Sequence, residues 1–134
     1  MRKEDQVVSI DIAMRLKALG MKQEALKWWD LTERTLYGCH DGTAVELNCV
    51  AAFSVAELGE LLPVTITVEG YAHHFESMRL PQERGTRFRG CYASLKYYIP
   101  DPMVEEATEA DMRGMVLVHL LERGYLKEIN QEEK

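Results

Sequence analysis

The chain has 134 residues, close to the commonest domain size and long enough for one continuous core. Its 46 % hydrophobic and 28 % charged content is ordinary for a globular protein, which excludes disorder outside the ends. A formal charge of −6 excludes a surface that is basic as a whole.

Met1 to Asp5 leads into no apolar h-region, so no secretory signal is expected. Ser9 then stands as an N-cap before Ile10 to Leu19, where Ile12, Leu16 and Leu19 recur at helical spacing and Gly20 supplies a C′ stop. Gln23 to Leu36 is ambiguous between helix and strand, and its aromatic pair with Thr32 and Thr35 tilts it to strand. Gly38 to Gly42 reads as a turn. Thr43 to Phe53 alternates Val45, Leu47 and Cys49 against Glu46 and Asn48, a half-buried strand expected to form a hairpin with the segment before it.

Ser54-Val55-Ala56-Glu57 is a capping box, with Val55, Leu58, Leu61 and Leu62 on one face and Pro63 as terminator. Val64 to Val68 alternates strictly and predicts a strand. After a turn at Glu69-Gly70, Tyr71 to Leu80 is its antiparallel partner. Pro81 to Thr86 reads as a polar loop and Arg87 to Ile99 as the third strand of a meander. Pro100-Asp101-Pro102 is a linker too short to divide domains. The closing helix runs from Thr108 to Gly124, with Asp111 completing a shortened capping box and Met112, Val116 and Leu120 forming a stripe that Leu117 and Leu121 widen. Residues 127–134 are expected to fray.

The order is α-β-β-α-β-β-β-α. Strands cluster instead of alternating with helices, which predicts a single α+β domain over 1–134: an antiparallel sheet of about five strands with helices packed on one face.

Phe53-Ser54-Val55-Ala56-Glu57-Leu58-Gly59-Glu60-Leu61-Leu62-Pro63, together with Thr108-Glu109-Ala110-Asp111 and the run Met115 to Leu121 and Leu126, resembles a group of small phage and prophage proteins. The opening segment Ile10 to Gln23, a helix ending in Leu19-Gly20 and then Met-Lys-Gln-Glu, fits the same pattern, whereas Tyr71 to Tyr98 shares none of it. The resemblance implies a phage-derived accessory protein in a bacterial cytoplasm and carries over no catalytic residue.

Chemistry-bearing residues are sparse. Cys39, Cys49 and Cys91 are odd in number and scattered, which suits reduced thiols in a cytosol. No apolar stretch approaches the ~20 residues that span a bilayer, so no membrane segment is expected. His73 and His74 are neighbours on a strand and point to opposite faces, so a metal would need one of them plus remote ligands such as Glu76 or Cys91. Cys39-His40-Asp41 has no second pair at zinc-like spacing and reads as a turn. His119 borders the closing helix's apolar stripe as a structural histidine. Ser9, Ser54, Ser77 and Ser94 form no nucleophile elbow, and the first two are assigned as caps. The acidic group Glu105, Glu106, Glu109 and Asp111 is explained by the dipole of a helix start. No catalytic, metal or cofactor site emerges.

Two surfaces remain. Trp28-Trp29 on a strand would send its indoles to opposite faces, leaving one to mark a protein interface unless the first helix and a loop cover it. From Arg79 to Lys96, five basic residues stand against Glu83 alone, a local +4 that leaves −10 elsewhere. Arg84, Arg87, Arg89, Tyr92 and Lys96, followed by Tyr97 and Tyr98, could bind phosphates and stack bases, although alternation puts Arg87 and Arg89 on one face and Phe88 and Tyr92 on the other. The leading expectation is a non-enzymatic interaction module, a homo-oligomer or the partner of a host or phage protein. The alternative is a nucleic-acid-binding accessory protein using the hairpin 79–98. An enzyme whose pocket is assembled from dispersed residues is the third possibility.

Overall fold

Capping chemistry sets the helix boundaries. The computed structural model describes residues 3–38, 48–68, 70–82, 85–94 and 103–125. Helix α1 spans Ile10–Ala18, α2 Val55–Leu61 and α3 Glu109–Glu122, and a 3-10 turn at Lys3–Gln6 precedes them. Both long helices stop in the same way. Gly20 (φ +90°) and Gly124 (φ +76°) take the left-handed conformation that ends the ladder. The N–H of Met21 returns to Leu16 and that of Tyr125 to Leu120, closing a Schellman motif at each stop. The capping box on α2 is complete: Ser54 Oγ accepts from Glu57 N (3.2 Å) and Glu57 Oε1 accepts from Ser54 N (2.9 Å). Glu57 Oε2 also accepts from Leu26 N (3.1 Å), tying the preceding segment to the helix start.

Ser9 holds the N-cap position of α1, but its side chain makes no cap bond to that helix. Its backbone N–H donates to Asp111 Oδ1 (2.7 Å) in the first turn of α3.

Among the described residues, seven strands, all antiparallel, form two sheets in place of one. In the smaller, β1 (Lys27–Asp30) lies between β2 (Thr35–Gly38) and β3 (Cys49–Ala51). The ambiguous Gln23 to Leu36 stretch is thus two strands and a turn. Asp30 makes that turn: its carboxylate accepts from the N–H of Thr32 and Glu33, its carbonyl accepts from Arg34, and Arg34 adopts φ +58°. Residues 39–47, including the expected Gly38–Gly42 turn and the first half of the Thr43 to Phe53 strand, lie outside the described residues. The rest of that strand pairs with β1, not with β2.

The larger sheet has the order β4 (Thr65–Val68), β5 (Tyr71–Gln82), β6 (Gly85–Ala93), β7 (Met103–Glu106). Pro81, Gln82, Gly85 and Thr86 belong to strands and not to the expected loop. The β5–β6 ladder continues through Pro81↔Thr86 to Gln82↔Gly85, beyond the reach of β4 and β7. Pro81 is tolerated there because β5 has no second neighbour at that end among the described residues. Strand β7 is an addition to the expected order, four residues between the stretch 95–102, outside the described residues, and α3.

The layers stack from the small sheet through β3 onto α1, from α1 onto α3, and from α3 onto β6 and β7, with α2 against the flank of α3. Two glycines let α3 sit this close. A Cβ at Gly90 of β6 would lie 2.2 Å from Met112 Sδ, and one at Gly114 of α3 would lie 2.6 Å from Val8 Cγ1. Buried positions on α3 (Met112, Gly114, Val116, Leu117, Val118, Leu120, Leu121) cover far more than one stripe because the helix is packed from two sides.

Candidate functional site

The Trp pair is not a surface. Trp28 and Trp29 are 6 % and 7 % exposed. Each indole N–H is spent inside the fold, Trp28 Nε1 donating to Ala25 O (3.2 Å) and Trp29 Nε1 to Val8 O (2.8 Å). The strand does send them to opposite faces, but both faces of β1 are covered, so neither ring can anchor a partner.

The basic segment is also reduced. Arg84, Lys96, Tyr97 and Tyr98 lie outside the described residues. Tyr92 is fully buried, donates its hydroxyl to Pro63 O (2.6 Å) and stacks at a tilt on Phe75. Burial pushes its phenol far up, and no base could reach the ring. Arg87 and Arg89 do share a face, as alternation predicts, and both converge on Glu105 of β7: Arg87 Nε to Oε1 at 3.0 Å and Arg89 Nη2 to Oε2 at 3.4 Å. One carboxylate is thus shared by two guanidiniums. Glu105 belongs to β7 and not to the helix start, as does Glu106, whose carboxyl is held above its ordinary range by burial and by nearby Asp111. Only Glu109, paired with Arg113, and Asp111 sit in the first turn of α3.

The remaining candidates resolve individually. His73 is buried and its Nδ1 donates to Tyr71 O (3.0 Å), whereas His74 points the other way, exposed, beside Thr65 Oγ1. Among the described residues no three His, Cys, Asp or Glu side chains converge as a metal site would require. His119 is half-buried at 3.7 Å from Glu122 Oε1. Cys39-His40-Asp41 lies outside the described residues.

One surface went unnoticed in the sequence. The face of the large sheet turned away from α3 is covered by no element among the described residues. The register places on it Ala72, His74, Glu76, Met78 and Leu80 from β5, Arg87, Arg89, Cys91 and Ala93 from β6, and Met103 and Glu105 from β7. Met78 and Met103 are each 57 % exposed. A shallow cavity of about 380 Å³ lies here between Glu76, Met78, Arg89 and Cys91. Burial, then Glu76, pushes the Cys91 thiol up, against the opposing pull of Arg89, so this is no activated nucleophile. Among the described residues, Arg89 Nε is buried with no hydrogen-bond acceptor. Alternation along β5 and β6 could have found the face, but only with β7 known. Without that strand, Glu105 reads as part of a helix start and the arginines have no carboxylate opposite them.

No helix among the described residues is long and apolar enough to cross a membrane. Compared with protein-family models, curated proteins and solved structures, the chain matches none.

Proposed function

We propose that the protein is a non-enzymatic interaction module that holds a protein partner on the open face of its four-stranded sheet. The carrying observation is the composition of that face. Two exposed methionines and three smaller apolar side chains lie among two arginines and two glutamates, so the face is mixed and close to neutral. Methionine suits such a surface because its flexible thioether adapts to irregular partners. A nucleic-acid footprint asks for the opposite, unpaired cations and free aromatic rings. Here Arg87 and Arg89 are both engaged by Glu105 and Tyr92 is in the core, which leaves Arg79 as a single exposed arginine on the opposite side of β5. On the resemblance to phage and prophage proteins, the module is an accessory protein of phage origin working in a bacterial cytoplasm, with a host or phage protein or its own copy as partner.

A photo-crosslinking residue at Met78 or Met103 tests this in the cells that make the protein. Discrete protein adducts are expected at both positions and not at Leu26, which is 77 % exposed but far from the face. Equal labelling at all three, or adducts to nucleic acid, would overturn the proposal.

A further inference from the structure

The four-stranded sheet has an open edge as well as an open face. We infer that a short extended segment of a partner protein adds as a strand beside Ser77 and Arg79 of β5, with an acidic side chain set against Arg79. Antiparallel pairing turns backbone groups alternately to the two sides of a strand. Phe75 donates its N–H to Val64 O on the β4 side, so the backbone groups of Ser77, Arg79 and Pro81 point to that side too. Strand β4 pairs with β5 only from Tyr71 to His74, and among the described residues no strand lies beside Ser77 or Arg79. Both are exposed. Pro81 has no N–H and ends the row of donors. The open stretch from Ser77 to Pro81 is about 13 Å long, room for a segment of about five residues.

The side chains of Ser77 and Arg79 stand on the α3 side of the sheet, in register with Gly90 and Phe88, so the site does not rest on the open face. There they wall a hollow of about 600 Å³ together with Thr86, Phe88, Glu109 and Met112. Half-buried Phe88 and fully buried Met112 give it an apolar floor. A strand added at this edge turns every second side chain over the hollow, and main-chain bonds with alternate pockets are how sheet edges recognise peptides. Charge selects the occupant. Glu109 is already paired with Arg113, whereas Arg79 makes no ion pair among the described residues. The fitting segment therefore carries an acidic residue two positions from an apolar one, the first at Arg79 and the second over the floor. A second copy of the chain fits poorly. Pairing β5 with β5 about a two-fold axis sets the two Arg79 side chains on one face at opposed or diagonal positions, where like charges destabilise.

Selection of displayed random heptapeptides on the full chain tests the inference. The enriched peptides are expected to carry Asp or Glu two positions from a large apolar residue. Adding such a peptide should raise the hydrogen-exchange protection of the Ser77 and Arg79 amides and leave those of Glu76 and Met78, which face β6, as they were. Arg79→Glu should weaken the peptide roughly tenfold or more and turn the selection toward Lys and Arg. Ser77→Pro removes one donor at an edge position that tolerates proline, and should weaken the peptide roughly tenfold. Should S77P fail to fold by circular dichroism, R79E and the exchange pattern decide. No enrichment, binding indifferent to R79E, or protection that appears on β7 in place of Ser77 and Arg79 overturns the inference. Protein adducts at Met103 would persist in that event, because the open face is a separate surface.

Discussion

Asp111 shows how one side chain joins two helices at an electrostatic cost. Its Oδ1 serves the N–H of Ser9 at the start of α1, while its own N–H is capped by Thr108 Oγ1 (3.1 Å). Burial raises its carboxyl above the ordinary 3.8, against the lowering effect of the Ser9 bonds, and Asp5 and Asp11 add like charge. The folded chain therefore holds this proton more tightly than the unfolded chain. The resulting stability is complete below the ordinary value and is lost as pH rises through the folded value. Asp111→Asn keeps the acceptor and cannot ionise. Its urea midpoint should match wild type in acid and move above it as pH rises through that window. Asp111→Ala strands the Ser9 N–H and should cost on the order of 1–3 kcal/mol at every pH. A D111N protein that loses ground to wild type as pH rises would show that the helix dipole, not burial, governs this carboxylate.

At the scale of elements, the same substitution should act with opposite sign on two helices. Gly59 lies on the exposed side of α2, where an added Cβ would find only Arg113 Nη1 at 3.7 Å. Gly59→Ala should stabilise by roughly 0.5–1 kcal/mol through reduced backbone entropy. Gly114 is buried in α3 against the branched chains of Val8 (2.6 Å) and Ile12 (2.9 Å), which cannot swing aside. Gly114→Ala should destabilise by about 1–3 kcal/mol from overpacking, less the same propensity gain. Urea midpoints on the two variants measure both. The sequence showed the helices well because caps, glycine stops and apolar spacing are local signals: Ser54 with Glu57, Thr108 with Asp111, and Gly20 and Gly124 all stand where they were read. It concealed what depends on partners far along the chain. Four-residue β7 has only Val104 buried, and its glutamates acquire meaning only from arginines on β6. The Trp pair was legible as a strand, but its coverage depends on Val8 O, supplied from 21 residues upstream.

Across the whole molecule, α3 is the element through which the two sheets depend on each other. The small sheet reaches it by way of α1, and the large sheet rests on it through β6 and β7. Because α1 covers the small sheet and itself packs on α3, loss of this helix should uncover both sheets, and both should unfold in one step. The tryptophans make this measurable because both sit in β1 of the small sheet, whereas far-UV circular dichroism reports on every helix and strand. In wild type the two urea transitions should coincide. Leu117 is fully buried in the middle of α3, and Leu117→Ala should lower stability by roughly 2–5 kcal/mol, according to how far the cavity collapses. Its effect should appear equally in both signals, as a shift of midpoint at unchanged slope. Tryptophan fluorescence that holds its wild-type midpoint while the dichroism transition moves would mean that the small sheet and α1 stand as a separate unit.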